Sequence, residues 1–395
     1  MALISPERRQ SMKVLDIYHE HVEEASFLYN LRNYLLARPK GGLSYQQTVE
    51  ERLEAHISAL ELGGMHSEPL LKTYLASKDE GECFGAICAL LRMGRMQEVL
   101  AHFDAEPVQH PQALSRAFRL FESGALNDKL LVWLASGAPE RRGVAASVLG
   151  INRAMNAAAE IAKLLDDDDQ VVRTCAMKAI TRLQPDTGRG KAFAALSTGE
   201  GDSEYKEACF ENLFLRNDAK VFGLAERYSG KDALLPAAVM MLGLRAAPED
   251  SRRILSLVHE HADRSVFQAV GFFGSREILM NLVPLEKSAT CNAYIQEAAH
   301  LVLGTEPPEI PEHGEERTSA FALSEALSRP VASDSRSTMR WRLGRPATRE
   351  NEKQLAASAA AIYRKWLYLD MCRTGKSSIG IEHDDTAARQ LMFYR

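Results

Sequence analysis

Eight apolar residues mark the ends of eight similar helical patterns along this chain: Leu90, Leu120, Leu149, Ile180, Leu213, Leu242, Phe272 and Val302. The steps between them are 30, 29, 31, 33, 29, 30 and 30 residues. A fixed period near 30 predicts stacked helix pairs, because one pair cannot bury its apolar face alone and must use its neighbours to do so. The clearest unit is KLLDDDDQVVRTCAMKAITRL, residues 163–183. A first helix is expected to end at Leu164 and Leu165. Asp166 to Asp169 then supply the turn and the start of a second helix, where carboxylates accept free N–H groups and face the positive end of the helix dipole. Val172, Ala176, Ala179, Ile180 and Leu183 line one face of that helix, and Arg173 in its first turn is placed to pair with a carboxylate of an adjacent unit. The same grammar returns as Arg142, Ala145, Val148 and Leu149, and again as Leu235, Ala238, Met241 and Leu242. Pro236 falls near a helix start, where proline is tolerated. Gly94, Gly124, Gly150, Gly243, Gly274 and Gly304 close their units and predict left-handed helix ends.

The two ends of the chain read differently. Residues 14–38 predict one long helix with a stripe of Val22, Ala25, Phe27, Leu28, Leu31 and Leu35, and a second helix follows from Ser44 to Gly63. Paired antiparallel, they would cap the first repeat and keep its apolar face from water. His21 and Glu24 facing Arg52 and His56 would lock the pair. After Gly304, residues 305–317 carry three prolines and five glutamates, which marks a linker or strap. The balance then reverses to ten Arg or Lys against four Asp or Glu over residues 329–373. Residues 350–373 predict a further amphipathic helix with Leu355, Ala359, Ile362, Trp366 and Leu369 on one side. The expected fold is therefore all-α: an α-solenoid of about eight helix pairs over residues 66–304, an N-terminal helical hairpin cap over 1–65, a linker or strap over 305–349, and a C-terminal helix and tail over 350–395.

Composition narrows the function classes. In 395 residues the apolar share of 46% is ample for a core, and a net charge of −5 argues against a surface built throughout for nucleic acid. No apolar run reaches the ~20 residues of a membrane span, and the first residues lack the apolar core of a secretory signal. Cys83, Cys88, Cys175, Cys209, Cys291 and Cys372 form no CxxC pair and read as reduced, buried small hydrophobes. These features together predict a cytoplasmic protein.

Few residues suggest chemistry. Gly375 to Ser378 mimic the end of a phosphate-binding loop, but the position five before Gly375 is Asp370 rather than glycine. His19 with Glu23, joined by His56, has the one-turn spacing of zinc ligands; charge pairing between the helices is the simpler reading. Asp166 to Asp169 lack the alternation and terminal glutamate of a calcium loop, which leaves helix capping. His259, Glu260 and His261 near Asp263 read as a solvated helix tip. No catalytic, metal or cofactor-binding residue is assigned, and no cofactor is expected. The strongest binding candidate is Arg340, Trp341, Arg342 and Arg345, since Arg with Trp is enriched at interface hot spots. The same pair could stack on unpaired bases or fold back onto the acidic repeats.

The pattern D-x-x-V-R-x-x-A-x-x-A-[LI], clearest at residues 164–183, resembles the short HEAT-like repeats also seen in phycobilin lyases. HVEEASFLYNLR at 21–32 and ERLEAHISALELGG at 51–64, together with RWRLGRPAT at 340–348 and the terminal ARQLMFYR, resemble a conserved proteobacterial family of HEAT-like repeat proteins, often encoded near type VI secretion genes. The resemblance implies an accessory, adaptor or immunity role, with a secreted effector or spike-associated protein as partner and no catalytic residues. The competing class is an enzyme on a HEAT-like scaffold, such as a DNA glycosylase. That reading calls for a basic concave stripe and a catalytic carboxylate beside aromatics, whereas the repeats are acidic and aromatic-poor, with Trp133 their one tryptophan.

Overall fold

An aspartate placed just before an apolar periodic run sets where many of the helices begin. Asp79, Asp169, Asp202 and Asp263 each turn a carboxylate back onto N–H groups of the first turn, which satisfies donors the helix itself leaves free. Asp169 takes two, from Val171 at 2.8 Å and Val172 at 3.1 Å. The computed structural model describes residues 6–39, 41–121, 123–230, 233–261, 263–285, 289–307, 322–328, 340–348, 351–375 and 385–394. Among these the chain is all-α, with 22 α-helices and two minimal β-hairpins. No helix among the described residues is long and apolar enough to cross a membrane.

The chain divides into two units, residues 1–34 with 44–191, and residues 35–43 with 192–395. The first unit contains most of α1 (Pro6–Ala37), then α2 (Leu43–Leu62), α3 (Glu68–Tyr74), α4 (Glu80–Arg92), α5 (Met96–Ala105), α6 (Pro111–Leu120), α7 (Gly124–Trp133), α8 (Pro139–Ile151), α9 (Ala158–Lys163) and α10 (Gln170–Leu183). Alternate helices pack in succession, α4 on α6, α6 on α8 and α8 on α10, while α5, α7 and α9 each pack beside a helix of that row. α1 and α2 run antiparallel, since His21 meets His56 and Arg32 meets Glu50. Ser26 and Tyr29 of α1 bond Asp79 and Glu80 at the start of α4, and Tyr29 stacks on Phe84.

α11 (Pro185–Thr198) contributes residues to both units. The second unit continues with α12 (Ser203–Leu215), α13 (Lys220–Arg227), the hairpin β1 (Ser229–Gly230) with β2 (Ala233–Leu234), α14 (Pro236–Arg245), α15 (Pro248–Glu260), α16 (Arg264–Phe273), α17 (Arg276–Met280) and α18 (Ala289–Leu303). The alternating arrangement recurs as α14 on α16 and α16 on α18. After it come α19 (Leu323–Ser328), a second hairpin of β3 (Trp341–Arg342) with β4 (Arg345–Pro346), α20 (Glu352–Ser358), α21 (Ala361–Arg373) and α22 (Ala387–Tyr394).

Seven of the eight periodic residues are buried; Leu120 is not, at 45% exposed. The buried face of α6 is Ala113, Leu114, Ala117 and Phe118, which puts Leu120 about 200° around the helix from Phe118. Phe27, expected on the stripe of α1, is 57% exposed, and Tyr29 takes the core place. Gly150 and Gly243 are not helix ends. They lie within α8 and α14 where the next helix comes close, so that a Cβ would fall 2.5 Å from Ala179 Cβ and from Ala269 O respectively. The single helix expected over 350–373 is interrupted at Ala359 and Ala360, which are extended. No glycine or proline marks this break. It coincides with full burial of Arg364, whose Nη1 donates to Ala359 O.

Candidate functional site

A helix leaves its last carbonyls without internal donors. α16 ends at Gly274 and α18 at Gly304, both with positive φ. The β3–β4 hairpin lies across these two ends and supplies the missing donors. Trp341 N donates to Gly274 O at 2.8 Å, Leu343 N to Leu301 O at 2.7 Å, Gly344 N to Val302 O at 3.2 Å, and Arg340 Nη2 to Phe272 O at 3.1 Å. Arginines at helix C-termini also meet the negative end of the dipole. The fit is backbone against backbone: a Cβ on Gly274 would fall 2.8 Å from Trp341 O, and one on Gly304 would fall 2.6 Å from Leu343 O. The turn residues Leu343 and Gly344 have φ of +48° and +77°, as a two-residue hairpin turn of the primed type requires. Leucine is rarely found there, so the hydrogen bonds to α18 hold a strained residue in place.

A second polar cluster fixes the helices beneath. Glu297 on α18 is fully buried. It accepts from Arg264 Nε and Nη2 at 2.8 Å each, from Gln268 Nε2 at 2.9 Å, and from Tyr363 Oη at 2.8 Å. Burial, and then the Glu297 charge, push the Tyr363 phenol well above its usual range. This carboxylate therefore joins α16, α18 and α21. Lys365, also on α21, pairs with Glu207 and Glu211 of α12.

The hairpin, α20 and α21 together enclose a pocket of about 130 Å³. Its polar wall is Arg340, Arg342, Glu352 and Asp370, and Leu355, Leu367 and Met371 form much of the apolar remainder. Asp370 is held by Arg373 Nη2 at 2.8 Å and lies 3.7 Å from Arg340 Nη1. Arg342 is 3% exposed. Its guanidinium donates to the neighbouring Trp341 O at 3.0 Å and lies over the Phe272 ring at 5.6 Å. Burial, reinforced by the charge of Arg340, pushes Arg342 far below the usual arginine range. Burial lowers Arg340 too, with Asp370 opposing.

The residues singled out from sequence thus fall into three places. Arg340, Trp341 and Arg342 meet in the hairpin, with Trp341 buried and Arg345 exposed on the returning strand. His21 and His56 touch at 3.0 Å between their Nδ1 atoms, and Glu24 and Arg52 lie near enough to act on His56, which burial first and the His21 charge second lower. His19 turns to the Tyr74 hydroxyl instead. Arg142 bridges helices, with a two-pronged bond to Asp167 at 2.8 Å on each prong, and its Nη1 binds the carbonyls of Ser136 and Gly137. Arg173, 31 residues on, places Nη1 on the carbonyls of Asp167 and Asp168, the same positions of its own turn. Among the described residues no group of three or more His, Cys, Asp or Glu is placed to hold a metal ion. Cys83, Cys88, Cys209 and Cys291 are buried thiols, and burial raises Cys83, Cys88 and Cys209 to about 12. Of the Gly375–Ser378 segment, Lys376 to Ser378 lie outside the described residues, as does most of the Pro/Glu-rich stretch.

The Glu297 cluster and the hairpin itself were not anticipated from sequence. The hairpin had a signal, a Leu-Gly pair between the alternating Arg-Trp-Arg and Arg-Pro; the cluster had none, because its members are spread over three helices. No family model matches the chain, and no curated protein is significantly similar to it.

Proposed function

We propose that this chain is a non-enzymatic protein-binding scaffold built from HEAT-like helix pairs over residues 66–304, with the N-terminal hairpin and the C-terminal segment as end pieces. The observation that carries this reading is the repeated local geometry. Arg142 and Arg173 each grip the carbonyls six and five residues before them, Ser136 and Gly137 in one case and Asp167 and Asp168 in the other, and alternate helices stack in rows in both units. Stacked helices present a long preorganised surface, which lowers the ordering cost of binding a protein. Burial of Trp341 and Arg342 against the end of α16 engages this pair within the chain, which counts against base stacking on single-stranded nucleic acid and leaves protein binding to the helix rows. The family resemblance points to an accessory, adaptor or immunity role on a secreted effector or spike-associated component of a type VI secretion system.

Affinity capture of the tagged chain from its native host, read by mass spectrometry, tests this. One stoichiometric, toxin-like or spike-associated partner is the expected result. Absence of any partner while the secretion genes are expressed overturns it, and salt-resistant binding of damaged duplex DNA would replace it with a glycosylase-type reading.

A further inference from the structure

We propose that the pocket between the β3–β4 hairpin and α20–α21 binds a small organic oxyanion, a carboxylate or phosphate group held by Arg340 and Arg342 with an apolar body against Leu355, Leu367 and Met371. Among the described residues the charges around the pocket do not balance. Arg340, Arg342 and Arg373 face Asp370 and Glu352. Asp370 is already taken by Arg373 and sits only at the edge of ion-pair reach from Arg340. Arg342 forms no ion pair among the described residues, although it is almost wholly buried and lines the cavity. The buried Nε of Arg340 has no hydrogen-bond partner there either. Burial pushes both arginines down toward losing their protons, yet a guanidinium stays charged in proteins, so the downward push marks a costly buried cation that calls for a counter-charge. The carbonyl ends of α16 and α18 supply only fractions of one.

The shape fits the same ligand. The cavity of about 130 Å³ is roughly tenfold the ~10–15 Å³ needed for one water. Guanidinium groups match the planar or trigonal face of an oxyanion through paired N–H bonds. An inorganic ion would leave the leucine and methionine wall facing water, whereas an organic acid covers it. The strained Leu343 turn and the glycine seats of the hairpin hold both arginines at the rim of this space, the kind of support a preorganised site needs.

Isothermal titration of the full chain with benzoate, phenyl phosphate, inorganic phosphate and the neutral isostere benzamide tests the assignment. Benzoate or phenyl phosphate is expected to bind with one-to-one stoichiometry, and whichever is tighter identifies the head group. Benzamide and inorganic phosphate are expected to bind at least about tenfold more weakly, since one lacks the charge and the other the apolar body. Arg342→Gln and Arg340→Gln should each weaken the preferred probe by about tenfold or more, with folding checked by circular dichroism. Asp370→Asn should tighten it by removing a competing carboxylate, a gain that general damage would not produce. This variant and Arg340→Gln decide the matter if Arg342→Gln fails to fold. No saturable binding of either organic anion, equal binding of benzamide, or unchanged affinity in folded Arg340→Gln overturns the proposal.

Discussion

Arg142→Ala would cut the two-pronged bond that joins α8 to the turn before α10, together with the bonds to the carbonyls of Ser136 and Gly137. The Arg142 side chain is 17% exposed and that of Asp167 is 9% exposed. The pair therefore falls between an exposed ion pair, worth under about 1 kcal/mol, and a buried one, where removing a single partner costs about 3–5 kcal/mol. We expect a loss of about 2–3 kcal/mol, which for a unit of this size lowers the thermal midpoint by roughly 4–12 °C. Asp167→Ala should cost a similar amount. The double variant should be little worse than either single one, giving a coupling of about 2 kcal/mol. Arg142→Lys keeps the charge but not the fork, and should recover less than half of the loss. Arg173→Ala, whose guanidinium grips its own turn, should cost about 1–2 kcal/mol. Circular dichroism melts and urea titrations measure all of these. A midpoint for Arg142→Ala within about 1 °C of wild type, or strict additivity with Asp167→Ala, would show that the bridge does not hold the row of helices together.

Glu297→Ala strands Arg264, Gln268 and Tyr363 at once, and a loss of about 3–5 kcal/mol in urea unfolding is expected. Gly274→Ala forces alanine into the left-handed region and drives its Cβ onto Trp341; at least about 2 kcal/mol should be lost, with a red-shifted tryptophan emission as the hairpin lifts. Burial holds His300 below its ordinary 6.5 despite the bond to Thr305 O, so the unfolded chain takes up its proton first. Stability from this residue is complete above pH 6.5 and is lost as pH falls below it. Denaturant midpoints for His300→Gln should fall less on acidification than those of wild type, with His56 contributing a remaining slope of the same sign; parallel curves would refute the assignment.

The amphipathic period and the capping chemistry belong to the sequence alone. Seven of eight periodic residues are buried, Asp169 caps the helix it was expected to cap, and Pro236 opens α14, because each of these effects acts within one or two helical turns. Arg142 and Arg173 were visible as residues, but not the division of labour between them, which depends on where the carboxylate of Asp167 comes to rest. The candidate pocket was half visible. Arg340 and Arg342 stood out as charges beside a tryptophan, yet nothing local indicated that Trp341 and Arg342 would be buried, or that α20 and α21 would part at two alanines to close a cavity over them.

Tertiary packing decided the rest. Gly150 and Gly243 look like helix ends in the sequence and act instead as points of close helix contact, since only the approach of Ala179 and Ala269 determines which role a glycine serves. Glu297 acquires its donors from 29, 33 and 66 residues away. A periodic pattern reports which face of a helix avoids water. It carries no record of which distant polar group that face will meet, because that depends on how all the helices settle against one another.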